Sequence, residues 1–132
     1  PGWIQTRAGS DMTNSRTKGK TGEQEVCRII RDELGIDVHR NWIEQSYHGG
    51  PDIIGIKGWS IEVKRAKVFR GDWWTQAATQ AADRKEKPVL VYRLDRHDWR
   101  AVVCLCDISE YELHDRVDME FRTWIYIVRE QL

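Results

Sequence analysis

The sequence lacks any apolar run that approaches the roughly 20 residues of a membrane-spanning helix, and it shows no secretory signal. It has only three cysteines, Cys27, Cys104 and Cys106, which suit a reducing compartment better than a disulfide framework. These absences argue against membrane and secreted proteins and predict a cytoplasmic location. With 132 residues there is room for one domain of ordinary size, able to bury a core without disulfides.

The first residues differ in character from the rest. Residues 1–11 precede a methionine and contain a Gly-Ser pair that is typical of a cloning junction. We interpret residues 1–11 as a cloning remnant and Met12 as the natural start. Residues 12–132 are then expected to form a single domain.

The chain also lacks net charge, because 21 lysines and arginines balance 21 acidic residues. Neutrality by itself does not favour a nucleic-acid-binding protein, but the charges are unevenly distributed. Residues 57–70 are predominantly basic, residues 107–121 are predominantly acidic, and Lys18 and Lys20 belong to a basic arm. A solvated surface of mixed charge is the alternative interpretation of each cluster.

We predict an apolar β-hairpin at residues 52–64, and three charged residues interrupt it. One is an acidic residue after a Gly-Pro turn, and the others are an acid and a lysine in the second strand. These are Asp52, Glu62 and Lys64. An isolated charge in a sheet core costs several kcal/mol, roughly, unless it is paired or binds a metal. Metal binding is the interpretation that we favour, and a structural salt-bridge network is the alternative.

The loop of this hairpin decides whether the charged residues can act together. Opposed residues in an antiparallel pair point to the same face of the sheet. A two-residue loop would scatter the acids on both faces, whereas an odd-numbered loop near Gly58 opposes Asp52 to Lys64 and Ile54 to Glu62. We therefore predict the odd loop as the condition for a working site.

Periodicity predicts the surrounding elements. A helix is expected at residues 22–34, capped by Thr21, with Glu23 in its first turn pointing toward the sheet and Gly35 after its end. Further strands are expected at 36–39, 89–94 and 100–106, and a second helix at 72–84. This order predicts an α/β sandwich around a mixed sheet. Residues 108–114 fit a short helix, and residues 121–128 fit either a strand or a helix.

Cys104 and Cys106 alternate with apolar residues in the strand predicted at 100–106, which places both thiols on one face. We interpret them as buried structural cysteines, because the sequence offers no second pair of metal ligands.

Two motifs carry a family resemblance. Pro51-Asp52, a short spacer and Glu62-Val63-Lys64 resemble the signature of the PD-(D/E)XK nucleases. The segment Lys18-Gly19-Lys20-Thr21-Gly22-Glu23-Gln24-Glu25 resembles the start of archaeal-type Holliday junction resolvases, which also occur in some phages. The resemblance covers roughly residues 18–94. It implies an α/β fold with a restriction-endonuclease-like core, in which helices flank a mixed central β-sheet, and a nuclease domain over residues 12–132.

The resemblance also implies a reaction, the metal-dependent hydrolysis of phosphodiesters. The expected catalytic residues are Glu23, Asp52, Glu62 and Lys64. The three carboxylates and the backbone carbonyl of Val63 are the expected ligands of Mg²⁺, for which Mn²⁺ is a substitute.

The expected nucleic-acid contacts lie around these residues. They are Lys18, Lys20, Gln24, Ser46, His48, Arg65, Lys67, Gln76 and Gln80. Gln24 stands where the family has an arginine, which weakens or moves the phosphate contact expected there. For the two helix glutamines and for His48, an ordinary surface position is the alternative.

The expected partners are four-way DNA junctions and a second copy of the chain, since a two-fold dimer places two nicks symmetrically. No membrane partner is expected, and the location is the host cytoplasm if a phage encodes the chain. Two alternatives stay open: another PD-(D/E)XK nuclease of restriction or repair type, and a non-catalytic DNA-binding module on the same fold. The intact set of three acids and a lysine argues against the second of these.

Overall fold

A computed structural model describes the backbone of residues 2–42 and 50–132, and the side chains from Thr17 onward within those ranges. Helices and strands follow one another along the described residues. In order they are α1 (Gly2–Leu34), β1 (His39–Arg40), β2 (Ile53–Ile54), β3 (Trp59–Ala66), α2 (Asp72–Asp83), β4 (Lys87–Leu94), β5 (Arg100–Cys104), α3 (Leu105–Ile108), β6 (Arg116–Glu120) and α4 (Phe121–Gln131). Among the described helices, none is long and apolar enough to span a membrane.

The strands form one sheet of six, in the order of the sequence from β1 to β6. Neighbouring strands are antiparallel except for β3 and β4, which are parallel. A parallel pair needs a crossover connection, and α2 supplies it between these two strands. The mixed sheet flanked by helices confirms the predicted α/β architecture.

Alternation along the central strands separates two cores. Ile61, Val89 and Val103 face α1 and α4 and belong to the larger cluster of buried apolar side chains. Leu90 and Tyr92, on the other face, pack against α2. Glu62 lies beside Leu90 in the parallel pair and shares its face, so this acid is directed toward the α2 side of the sheet.

Helix α1 ends where the sequence predicts and begins much earlier. Gly35 has φ of 67° and its amide donates to Arg31 O at 2.9 Å, the usual arrangement at a helix C-terminus. The predicted start at residue 22 and the cap at Thr21 are wrong, because the helix continues from Gly2 without a proline to interrupt it. Glu23 therefore lies inside the helix and not in its first turn.

Several predicted strands and the second helix are confirmed with shifted boundaries. Helix α2 ends one residue before the prediction, while β1 is confined to His39–Arg40 because a turn from Ile36 O to Val38 N precedes it. Strand β5 stops at Cys104, so Cys106 lies in α3, and the prediction of both cysteines on one strand is wrong.

The C-terminal region resolves the remaining alternatives. Strand β6 was not predicted, since its exposed side chains alternate with only half-buried ones and carry a weak hydrophobic signal. The short helix expected at 108–114 lies instead at Leu105–Ile108, and the segment after Glu120 is helical. In α4, Phe121, Trp124, Ile125 and Val128 form the buried stripe of an amphipathic helix.

Candidate active site

The hairpin that carries the acidic residues has the predicted parity. Ile53 pairs with Ile61, which leaves the odd-numbered stretch 54–60 between the paired positions. The same register sets Asp52 opposite Glu62, so their side chains lie on one face. The predicted pairing of Asp52 with Lys64 is wrong by two residues, because the turn is centred nearer Lys57 than Gly58 and closes with a bond from Trp59 N to Ile56 O.

Asp52 is held in place by both neighbouring strands and is 8% exposed. Its Oδ2 accepts a hydrogen bond from Val63 N at 2.7 Å, and its backbone carbonyl accepts one from Asn41 N at 2.9 Å. Asn41 also donates through Nδ2 to Pro51 O at 2.9 Å. The side chain of Asp52 thus accepts the hydrogen bond of the Val63 amide, to which the short strand β2 offers no backbone partner.

Glu62 is 3% exposed and contacts two polar side chains. Lys64 Nζ lies 3.8 Å from Glu62 Oε1 and remains partly open to solvent. On the other side, with its amide nitrogen turned toward them, Gln80 donates to Glu62 Oε2 at 2.6 Å and to Gly50 O at 3.0 Å. Gln80 therefore connects α2 to the hairpin, while Gln76, one turn earlier, is exposed.

Glu23 reaches this region from α1 and interacts electrostatically with Asp52. Its Oε2 accepts a hydrogen bond from Arg40 Nε at 2.6 Å. Because Glu23 lies inside the helix and not in its first turn, the helix dipole does not favour its ionised form, since that effect falls off within the first turn. A cation on β1 takes its place.

Arg40 and Asn41 are the site residues that the sequence did not reveal. Arg40 ends the two-residue strand β1 and Asn41 follows it, and no motif distinguishes them from other polar residues at a strand end. Only the pairing of β1 with β2, with Arg40 opposite Ile53, brings them to the acidic side chains.

Burial and mutual repulsion keep part of this acidic set protonated in the absence of a metal. Burial and then the neighbouring Asp52 carboxylate raise the pKa of Glu62 to about 9, against a weaker opposing effect of Lys64. Burial also raises the pKa of Glu23, against the hydrogen bond from Arg40. A cation in contact with these carboxylates would favour their ionised forms.

The raised pKa of Glu62 predicts that the metal-free protein loses stability as the pH increases. The folded state retains a proton that the unfolded state releases near the ordinary pKa of 4.5. The contribution of this carboxyl to the stability of the fold is therefore fully present below pH 4.5 and is lost progressively as the pH rises from there to about 9. Glu62→Gln should therefore exceed the wild type in free energy of unfolding by roughly 1–3 kcal/mol at about pH 8, and by much less at about pH 5.

Urea unfolding in the presence of a chelator measures this difference, with Glu130→Gln on the exposed face of α4 as the matched control. A difference that stays constant or shrinks as the pH rises contradicts the assignment.

The predicted nucleic-acid contacts are placed in different surroundings. Lys18 forms an ion pair with Asp95 at 3.5 Å, and Lys20, Gln24 and Lys67 are exposed. The basic arm is part of helix α1, and Ser46 and His48 lie outside the described residues.

Arg65 differs from the other predicted contacts because it packs beneath α1. A Cβ at Gly22 would lie 3.1 Å from Arg65 Cδ, and Arg65 Nε is buried without a hydrogen-bond partner among the described residues. Gly22 thus permits the close approach of helix and strand, and the stem of Arg65 has a packing role.

The acidic set is chemically suited to a hard divalent cation. Asp52 interacts with both Glu23 and Glu62, and all three offer carboxylate oxygens of the kind that Mg²⁺ prefers. Arg40 is paired with Glu23, so a metal ion bound by Glu23 has to share the carboxylate with the guanidinium or displace it. The backbone amide of Val63 donates to Asp52 Oδ2, which places Val63 beside the acidic set, and its carbonyl stays a predicted ligand.

A family model described as a phage putative PDDEXK endonuclease matches residues 14–131. This chain belongs to that family. The nuclease is 26% identical over 129 residues to Protein D14 of Escherichia phage T5, an alignment that covers 80% of this chain and 81% of that protein. These findings confirm the predicted relationship to phage PD-(D/E)XK nucleases, which generally use divalent metal ions.

The fold of the nuclease is also similar to that of a solved structure. The Holliday junction resolvase Hjc from Archaeoglobus fulgidus superimposes with a TM-score of 0.55 at 20% sequence identity, over 83% of this chain and 96% of that one. At this identity the likeness concerns the fold, and it confirms the predicted restriction-endonuclease-like core.

Proposed function

We propose that this nuclease is a Mg²⁺-dependent endonuclease that resolves four-way DNA junctions as a homodimer, with its nuclease domain in residues 12–132. The observation that carries the catalytic part is the meeting of Glu23, Asp52, Glu62 and Lys64 from one helix and one hairpin. The junction substrate is supported by the likeness in fold to a protein that is a Holliday junction resolvase.

In this proposal each residue of the site has a defined task. Glu23, Asp52 and Glu62 hold the divalent cation, which when bound stabilises negative charge on the phosphate. Lys64, whose ammonium lies beside Glu62, offers a positive charge and a hydrogen-bond donor to the scissile phosphate or to the attacking water. Gln80 fixes one oxygen of Glu62 and so orients the carboxylate.

The connection between β3 and α2 supplies a surface for the DNA backbone beside this site. Lys67 and Arg70 are exposed there, three and six residues beyond Lys64. Phe69 anchors the connection, because its ring packs edge-on against Trp73 at 5.2 Å and Tyr92 at 5.0 Å between centroids. A fixed loop holds its cations near the scissile phosphate, and phosphate contacts of this kind position DNA without reading its sequence.

A junction assay tests the substrate. The protein is incubated with Mg²⁺ and a synthetic four-way junction labelled on each strand in turn, and with linear and flapped duplexes of the same sequence. We expect paired nicks at symmetric positions on two opposing strands, with Mn²⁺ able to replace Mg²⁺. Cleavage of the linear or flapped duplexes without paired nicks in the junction would exclude resolution and favour a restriction-type or repair-type nuclease.

The dimer is tested by the products from a plasmid that extrudes a cruciform. Two active sites in one complex should convert the supercoiled plasmid directly to the linear form, while mixed dimers with one Glu62→Gln subunit should stop at the nicked circle. Equal yields of linear product from wild-type and mixed dimers would contradict the homodimer.

A further inference from the structure

A second group of metal-binding side chains lies in the C-terminal half of the chain. Cys104 ends β5, Cys106 lies in α3, and His114 lies in the connection that leads to β6. Their ligand atoms all lie within 4.8 Å of one another, and no other three His, Cys, Asp or Glu side chains among the described residues come so close together, so the carboxylates of the hydrolytic site are more widely spaced. The sequence showed two cysteines without partners, and the fold brings a histidine to them.

The distances suit a tetrahedral ion. Nδ1 of His114 lies 3.9 Å from Cys104 Sγ and 3.7 Å from Cys106 Sγ. Sulfur and nitrogen ligands of one tetrahedral Zn²⁺ lie about 3.6 Å apart, and two sulfur ligands about 3.8 Å apart. The two sulfurs are 2.6 Å apart, so they must separate by about 1 Å, which the less buried Cys106 can allow by rotating its side chain.

The charges around the group favour a cation. Asp107 Oδ1 lies 3.9 Å from Cys106 Sγ and adds a negative charge beside the group. Glu110, Glu112 and Asp115 belong to the same connection and add negative charge. These residues belong to the acidic stretch 107–121, whose charge is opposite to that of the basic residues after β3.

Such an ion would also fix the conformation of the connection between α3 and β6. Residues 110–116 are exposed throughout, including Tyr111 and Leu113, which are 67% and 55% exposed. Leu105 N donates to Asp115 O at 2.8 Å and ties the end of the segment to α3. An exposed connection with few buried apolar contacts has little to fix it, and an ion shared by β5, α3 and this segment would hold it against the sheet.

We propose that Cys104, Cys106 and His114 bind a structural Zn²⁺ ion that is separate from the hydrolytic site. Two thiolates and an imidazole select a borderline-soft metal, whereas the carboxylates of the hydrolytic site suit Mg²⁺. Each thiol that binds the ion releases its proton to solvent. Strand β4 separates β5 from β3, so the two sites lie on different parts of the sheet.

Metal analysis tests the site directly. Protein purified under reducing conditions is dialysed against Zn²⁺ with excess Mg²⁺, and bound zinc is measured by mass spectrometry. Co²⁺ is titrated in parallel for its thiolate charge-transfer absorption. We expect one zinc per chain and the cobalt band in the wild type. His114→Gln and Cys106→Ser should weaken binding by at least about 100-fold, since loss of even an outer-shell partner costs 10–100-fold.

Matched variants separate this site from other sources of metal. Cys27→Ala removes the cysteine that lies in the core, and His97→Gln removes an exposed histidine, so both should keep the zinc. Glu62→Gln should also keep it, which distinguishes the site from the hydrolytic centre. A zinc-selective chelator, with Mg²⁺ kept in excess, should lower the melting temperature of the wild type and leave that of His114→Gln unchanged.

Three results would overturn the proposal. They are an absence of bound zinc in the wild type, equal zinc in the wild type and in His114→Gln, and a Cys104 to Cys106 disulfide in protein kept under reducing conditions. Because His114 is exposed, its variant should fold even if a cysteine variant does not.

Discussion

Glu62→Gln is expected to lower the rate of DNA cleavage by roughly 1,000-fold or more while DNA binding is retained. The metal held by this carboxylate, as we propose, stabilises transition-state charge by several kcal/mol, and each 1.36 kcal/mol corresponds to a tenfold change in rate. The side chain is buried between Lys64 and Gln80, so no neighbouring acid can take its place without moving the hairpin. Glutamine preserves the shape and the amide partner but offers a weaker ligand.

Single-turnover cleavage and a binding assay in Ca²⁺ separate the two effects. Binding should be equal or tighter in the variant, because one negative charge near the phosphate is removed. Glu130→Gln, at an exposed position of α4, is the control for the loss of a carboxylate and should cleave at the wild-type rate. Unchanged cleavage by Glu62→Gln would refute the assignment of Glu62 as a metal ligand.

Gly55→Ala is expected to destabilise the fold by roughly 3 kcal/mol or more, beyond the ordinary range of single substitutions. Gly55 has φ of 128°, and a Cβ there would lie 2.7 Å from Asp37 O and 2.8 Å from Val38 Cα. Both atoms belong to the backbone that leads into β1, so relief requires β1 and β2 to move apart. That movement would also displace Asp52 and Arg40, which lie further along the same two paired segments.

Gly58→Ala is the matched control within the same hairpin. Gly58 has φ of 87°, but a Cβ there meets nothing within 4 Å, so only the backbone conformation opposes the substitution. That strain amounts to about 1–2 kcal/mol. Urea unfolding should therefore give Gly55→Ala a clearly lower midpoint than Gly58→Ala. Equal midpoints for the two variants would show that the close approach to Val38 does not determine stability.

Much of the hairpin could be predicted because its pattern is local. Alternation of apolar and charged residues indicates the two strands, and the need to gather the charges on one face indicates an odd loop. The exact register could not be predicted, since turns centred on Lys57 and on Gly58 have the same parity and oppose Asp52 to different residues. The hydrogen bonds from Asp52 N to Ile61 O and from Val63 N to Asp52 Oδ2 stabilise the observed register, and both form only once the hairpin has closed.

The start of α1 shows a different limit. Apolar spacing and a terminal glycine indicate where the helix ends, but a cap-like threonine does not stop a helix that no proline interrupts. The predicted direction of Glu23 toward the sheet does not depend on where the helix begins. Its spacing relative to Val26 and Ile30 sets the side of the helix that it occupies, whatever the length of the helix.

The sequence by itself determined the mixed α/β architecture, the family and the side chains proposed for phosphodiester hydrolysis, because these depend on periodicity and on motifs within short segments. Only the tertiary structure showed that Arg40 contacts Glu23 and that Gln80, not Gln76, contacts Glu62. It alone also placed His114 beside Cys104 and Cys106. These contacts join residues on different elements. Their distances depend on strand pairing and helix packing across the whole sheet, which no local pattern of residues encodes.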